Sequence, residues 1–172
     1  MFENSTYSDI STRQMLLIAV LIAGSVMGII CFFVEWFSLD QFSLHFTYTG
    51  YEMFTMDFTY LEKSHHFMMP AIALVFAVIA LVASIVAIRF SKKIGGAVAA
   101  ISGIGMTTAA IVYTTGPEVI LDFRGDNIFA TTLKIGDHSG MGVYLTMVAG
   151  ILLVISGIIM VYLETREPQI EQ

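Results

Sequence analysis

The chain has 172 residues, of which 56% are hydrophobic and 13% charged, with a net charge of −6 and a mean hydropathy of +0.80. Soluble domains carry about 25% charged residues, and a globule this small exposes too much area to hide so many apolar side chains. The figures exclude a soluble enzyme domain, a disordered chain and, with the acidic balance, a nucleic-acid binder; they point to an integral membrane protein.

A polar leader, residues 1–14, precedes the first of four stretches that meet the length of a membrane helix, about 20 mostly apolar residues. The spans are expected at 15–37, 67–88, 94–115 and 141–163. The first has a longer apolar core than a signal peptide and no small-residue cleavage site after it, so it reads as an uncleaved anchor. Asn4-Ser5-Thr6 matches a glycosylation sequon, a chance match if the N-terminus is cytoplasmic. Glu35, Trp36 and Cys31 fall near the far end of this span; Trp36 is expected at the lipid–water interface and Glu35 at headgroup level.

The first long connection, 38–66, has strand character. Phe42, Leu44, Phe46 and Tyr48 alternate with Ser43, His45 and Thr47, and Phe54, Met56, Phe58 and Tyr60 alternate with Thr55, Asp57 and Thr59. Thr49-Gly50 supplies a turn between them, so the spacing predicts a β-hairpin. Seven aromatic residues fall within 42–60, and Phe46, Tyr48, Tyr51, Phe54, Phe58 and Tyr60 are the expected partner surface.

Span two opens on Pro70, whose missing N–H costs nothing in a first helical turn. The basic connection at 89–93 (Arg-Phe-Ser-Lys-Lys) marks the cytoplasmic side and makes spans two and three an antiparallel hairpin. Five bases (Arg13, Arg89, Lys92, Lys93, Arg166) fall on that side and three (Lys63, Arg124, Lys134) on the other. Both termini, including the 164–172 tail, are then cytoplasmic, and the plasma membrane is the expected location. Nine acids accompany the three outer bases, which places the whole net charge of −6 outside.

Lipid tails are as apolar as leucine, so membrane helices associate where small residues let backbones approach. In span three, Gly95, Ala99, Gly103 and Thr107 form one i, i+4 ridge, with Gly96 and Ala100 beside it. Span four places Gly142, Ala149 and Ser156 at heptad spacing with Gly150 and Gly157 alongside. The second long connection, 116–140, repeats the strand pattern at Glu118–Phe123 and Ile128–Ile135 around Arg124-Gly125-Asp126-Asn127. That cluster is rich in turn residues, and its Arg-Gly-Asp triplet reads as turn chemistry before it reads as adhesion. Hairpins from the two loops can join into one sheet of about four strands.

The expected fold is therefore an all-α membrane protein, a four-helix transmembrane bundle with a small extracellular antiparallel β-sheet built from two outer loops. The middle of every span lacks ionisable residues, which argues against a proton relay or an ion-coupled transporter. His65, His66 and His138 stand at the entries to spans two and four, and with Glu35 they are the candidate metal ligands, should spans one, two and four converge. No catalytic set or cofactor motif is present, so no cofactor and no enzymatic role is expected. The partners expected are the lipid bilayer and a membrane protein or a second copy.

Four helices, cytoplasmic termini, a first outer loop with strand character after Trp36 and a second strand-forming loop together resemble a claudin-type tetraspan. The likeness covers about residues 12 to 165. The paired cysteines and the Gly-Leu-Trp run of the claudin first loop are missing, so junction formation does not carry over. The Gly140-Met141-Gly142-Val143-Tyr144-Leu145 to Ala149-Gly150-Ile151-Leu152 stretch is similar to small four-span membrane proteins of archaea and bacteria, which implies a prokaryotic plasma-membrane protein. The leading expectation is an interaction or accessory subunit working through its outer sheet. The alternatives are a channel or transporter component, with Ser102, Thr107, Thr108, Tyr113, Thr114 and Thr115 as pore lining, or an outer-face metal-binding accessory protein.

Overall fold

A computed structural model describes residues 12–41, 44–55, 58–60, 63–65, 68–116, 118–121 and 131–166. Among the described residues four helices are long and apolar enough to cross a membrane: α1 (Thr12–Cys31), α3 (Met69–Arg89), α4 (Lys92–Thr114) and α5 (Met141–Arg166). A short α2 (Gly50–Thr55) lies between the first two. The long helices form a ring in chain order, α1 on α3, α3 on α4, α4 on α5 and α5 on α1. This is the four-helix bundle expected of a multi-pass membrane protein.

Local chemistry explains the ends. Pro70 stands in the first turn of α3, where its fixed φ suits the helix. After Arg89 the amides of Phe90 and Ser91 both bond the Val86 carbonyl, and Ser91, in extended backbone, caps α4 by accepting from the Ile94 amide at 3.3 Å. The turn between α3 and α4 is therefore two residues, Phe90 and Ser91.

The first span ends earlier than its hydropathy suggests. The helix stops at Cys31, short of residue 37, and unwinds through tight i→i−3 bonds from the amides of Phe32, Phe33 and Val34. The apolar run that follows becomes strand β1 (Glu35–Gln41). Aromatic and β-branched residues suit a strand, and hydropathy cannot separate burial in lipid from burial under protein.

The pairing of the first loop also differs from the expected hairpin. β1 pairs antiparallel with β2 (Leu44–Thr49), Ser38 opposite Thr47 and Leu39 opposite Phe46. Residues 54 and 55 close α2 instead of opening a strand. β3 (Phe58–Tyr60) pairs with β4 (Lys63–His65), and β5 (Glu118–Leu121) with β6 (Thr131–Lys134). Among the described residues the loops make three separate two-stranded ladders in place of one four-stranded sheet. Among the described residues an isolated bridge, Phe37 to Ser139, ties the first loop to the second. The Arg124–Asn127 turn and the Asn4 sequon lie outside the described residues.

Thr49-Gly50 is a helix start, not a hairpin turn. The Thr49 hydroxyl accepts from the Glu52 amide at 3.2 Å, while the Glu52 carboxylate accepts from the Thr49 amide at 2.8 Å and its hydroxyl at 3.0 Å. This reciprocal pair is a capping box, and it satisfies two donors that would otherwise face outward unbonded.

Candidate functional site

Over one end of the bundle, β1 lays a row of apolar side chains across the helix mouth. Glu35 pairs with Thr49 and Phe37 with Tyr48, so Trp36 is the extra residue of a β-bulge. A bulge re-aims one side chain against the strand's alternation. In consequence Trp36 and its neighbour Phe37 are both buried, with Leu39 following on the regular period.

Trp36 has 0% exposure, which corrects its expected place at the lipid–water interface. Its indole N–H donates to the Cys31 carbonyl at 2.8 Å, a group of the α1 terminus that also accepts from the Val34 amide. Its ring meets Tyr113 edge-to-face at 5.2 Å, and the Tyr113 hydroxyl donates to the Met53 thioether at 3.3 Å. Ala73, Ala110, Val143 and Ile135 complete the plug. Two glycines make room for the indole: a Cβ on Gly142 would lie 2.8 Å from it and one on Gly50 3.0 Å. Sequence reasoning missed this plug because a tryptophan ending an apolar run matches the interfacial pattern. The readable signal was Glu35 beside it, which makes a poor continuation of a membrane helix.

Below the plug, the small residues do what their types allow, with a different division among neighbours. A Cβ on Gly103 would meet the Gly150 carbonyl at 2.5 Å, and Gly150 approaches Thr107 and the Gly103 carbonyl. Gly157 approaches the backbone of Gly96 and Ala100. Gly95 turns the other way, onto Ala83 and Ala87 of α3, while Ala99 is buried in the core between. The expected Gly95–Thr107 ridge therefore does not serve one partner. Steps of four residues drift about 40° each around a helix, whereas Gly96, Ala100, Gly103 and Thr107 stay within about 60°. An alanine stripe on α3 (Ala73, Ala77, Ala80, Ala83 and Ala87) supplies the facing surface; within a run of alanine and valine it had no contrast.

Four of the six hydroxyls considered as pore lining are spent on backbone, Tyr113 is bonded to Met53, and Thr108 faces outward. Ser102 donates to the Val98 carbonyl at 2.9 Å, Thr107 to Gly103 at 2.9 Å, Thr114 to Ile111 at 2.8 Å and Thr115 to Ile111 at 3.2 Å. Ser25, Ser84, Thr146 and Ser156 bond the carbonyl four residues back in the same way. At the far end of the bundle, Gln14, 4% exposed, accepts from the Lys92 ammonium at 2.7 Å.

Of the candidate metal ligands, Glu35 is exposed at the start of β1, and His138 is half-buried with its ring 5.8 Å from that of Phe37. His65 ends β4, with its side chain outside the described part, and His66 lies outside the described residues. Among the described residues no three His, Cys, Asp or Glu side chains group closely enough to hold a metal ion.

The aromatic surface divides. Phe46 and Tyr48 are half-buried and pack against the plug, Tyr48 with its ring 6.0 Å from that of Phe37. Tyr51 and Phe54 are exposed on α2. Phe58 and Tyr60 lie on β3, their side chains outside the described part.

Comparison with family models, with curated proteins and with solved structures finds no match for this chain.

Proposed function

We propose that this protein is a non-enzymatic accessory or structural subunit of the plasma membrane. It acts by holding a partner, a second copy or another membrane protein, against its cap, with the cap facing outward and both termini cytoplasmic. The observation that carries the reading is the plug. The bundle mouth is filled by Trp36, Leu39, Met53, Tyr113 and Val143, each with almost no exposure, and a rigid cap is the feature so much buried apolar surface serves to hold. The self-bonded hydroxyls weigh against a solute path, since a path needs polar groups turned to its lumen. The basic residues Arg89, Lys92 and Lys93 stand at the end away from the cap, which supports the sidedness.

The flanks support the cap as the contact surface. Gly24, Gly28, Gly95, Gly96, Gly103, Gly150 and Gly157 all face neighbours inside the bundle. Most outward residues of α3, α4 and α5 are large: Ile72, Val75 and Val82 on α3, Ile101 and Ile104 on α4, Ile151 and Ile158 on α5. These faces of α3, α4 and α5 suit lipid and carry large side chains in place of small-residue grooves, whereas α1 also turns Ala19 and Ala23 outward.

The test is photo-crosslinking in native membranes from His45 and Lys134, both exposed on the cap, with Ile101 as a flank control. A discrete protein adduct from the cap positions is expected. Only lipid and abundance-weighted random adducts, no different from the control, would refute the proposal.

A further inference from the structure

α2 spends one side on the protein. Met53 is buried in the plug, and a Cβ on Gly50 would sit 2.9 Å from both the Phe32 carbonyl and the Pro70 ring. Its other side carries Tyr51 and Phe54, 51% and 40% exposed. Tyr51 stacks on Phe33 with centroids 6.3 Å apart, Phe32 meets both rings edge-on, and Phe33 is itself 60% exposed.

The depth of this shelf is fixed by covalent length and two hydrogen bonds. α1 has 20 residues, and at about 1.5 Å per residue it spans about 30 Å, the thickness of the hydrocarbon core. Its last turn therefore ends at the edge of that core. The Tyr51 amide donates to the Phe32 carbonyl at 2.9 Å and the Gly50 amide to Val34 at 3.3 Å, so α2 begins at the same level. The start of α3 flanks it, with Met68 and Ile72 exposed. The exposed face of α2 is thus continuous with the lipid-facing flanks of α1 and α3. The carboxylate of α2, Glu52, is already bonded to Thr49, which lowers the cost of holding it near the bilayer.

We infer that α2 is an interfacial anchor: Phe33, Tyr51 and Phe54 insert into the headgroup–acyl boundary of the bilayer the bundle spans, and so tie the cap to the membrane surface. Aromatic rings with one apolar and one polar end collect at this level, and short apolar faces buried there bind by area. Lipid, not the partner protein, then covers this part of the aromatic surface. The inference rests on the membrane-spanning helices and is independent of partner binding.

Nitroxide labels at Tyr51→Cys and Phe54→Cys test it, in a Cys31→Ser background that removes the chain's single cysteine, with the protein in phosphatidylcholine vesicles. Collision rates with oxygen and with a neutral nickel chelate report depth; Asp137→Cys, exposed on the cap, gives the aqueous reference and Val75→Cys the lipid reference. The oxygen-to-nickel ratio at 51 and 54 is expected several-fold above that at 137 and below that at 75. A ratio equal to that at 137 overturns the anchor, and exclusion of both reagents overturns it in favour of a protein contact. Phe54→Trp with chain-brominated phosphatidylcholine gives a second reading that needs no cysteine: quenching is expected, and unquenched added fluorescence overturns the inference. Loss of cap crosslinks with this depth pattern intact would instead count against the partner proposal alone.

Discussion

Glycine 103 offers a measurement of how closely α4 and α5 meet. A methyl group there would lie 2.5 Å from the Gly150 carbonyl oxygen, 2.9 Å from the Leu153 Cβ and 2.9 Å from the Val154 amide nitrogen. All three belong to the backbone or its first carbon, which cannot rotate away. Ordinary contact begins near 3.4 Å, so α5 must retreat by about 0.9 Å. A gap of that size forfeits a quarter to a half of each dispersion contact across the interface, and overpacking of this kind costs about 1–3 kcal/mol. Alanine returns about 1 kcal/mol through helix propensity, leaving Gly103→Ala destabilised by up to about 2 kcal/mol. Gly24→Ala is the matched control, because there the methyl meets Cδ2 and Cγ of the Leu153 side chain at 3.3 Å, which need shift by only about a tenth of an ångström to reach ordinary contact. Thermal unfolding in detergent should lower Tm for Gly103→Ala by several degrees, since about 2–4 °C corresponds to 1 kcal/mol at this size. Gly24→Ala should match or exceed the parent. Equal Tm values for the two variants would refute the close approach of α4 and α5.

Trp36, the chain's single tryptophan, should emit blue-shifted light and resist acrylamide; water-like emission would contradict the plug. Trp36→Ala should cost about 3–5 kcal/mol and strip hydrogen-exchange protection from β1 and β2 before the helices lose theirs. Glu52→Ala breaks the capping box at a cost of about 0.5–2 kcal/mol, visible as faster exchange of the first amides of α2 with unchanged exchange in α4. Ser84→Ala and Ser102→Ala should change stability by less than about 1 kcal/mol, because each hydroxyl bonds only its own helix; a larger loss would reveal a polar contact between helices.

The four spans were legible because length and lack of charge are one-dimensional properties. The first boundary was not. Apart from Glu35, Phe32 to Phe37 continues the apolar run of the helix before it, and only the third dimension separates a side chain in lipid from one under a cap. Alternation in residues 44–48 correctly put Phe46 and Tyr48 on one face of a strand. A period of two identifies a face but not a neighbour, so the partner strand was misassigned to residues 54–60. Thr49 and Glu52 stand at capping-box spacing, and that signal was readable. The pairing of Gly157 with Gly96 and of Gly150 with Gly103 needed helical phase: types and buried positions were visible, and which neighbour each faced was not.

Small caps with little core of their own are often stapled by disulfides, and a chain with one cysteine, buried at the end of α1, has no internal one to use. A two-stranded hairpin is marginal by itself in water, and among the described residues each of the three ladders has two strands. The cap must therefore draw its order from the bundle. Trp36, Phe37 and Leu39 bind it from one side of the mouth and Ile135 from the other, and Met53 reaches Tyr113 of α4. The dependence runs mainly one way. The helices hold one another through Gly103, Gly150 and Gly157 well below the plug, so loosening the cap leaves those contacts in place, whereas spreading α4 from α5 moves Tyr113 and Val143, the floor on which Trp36 rests. Small residues deep in the bundle thus set the rigidity of the surface that the proposed partner meets.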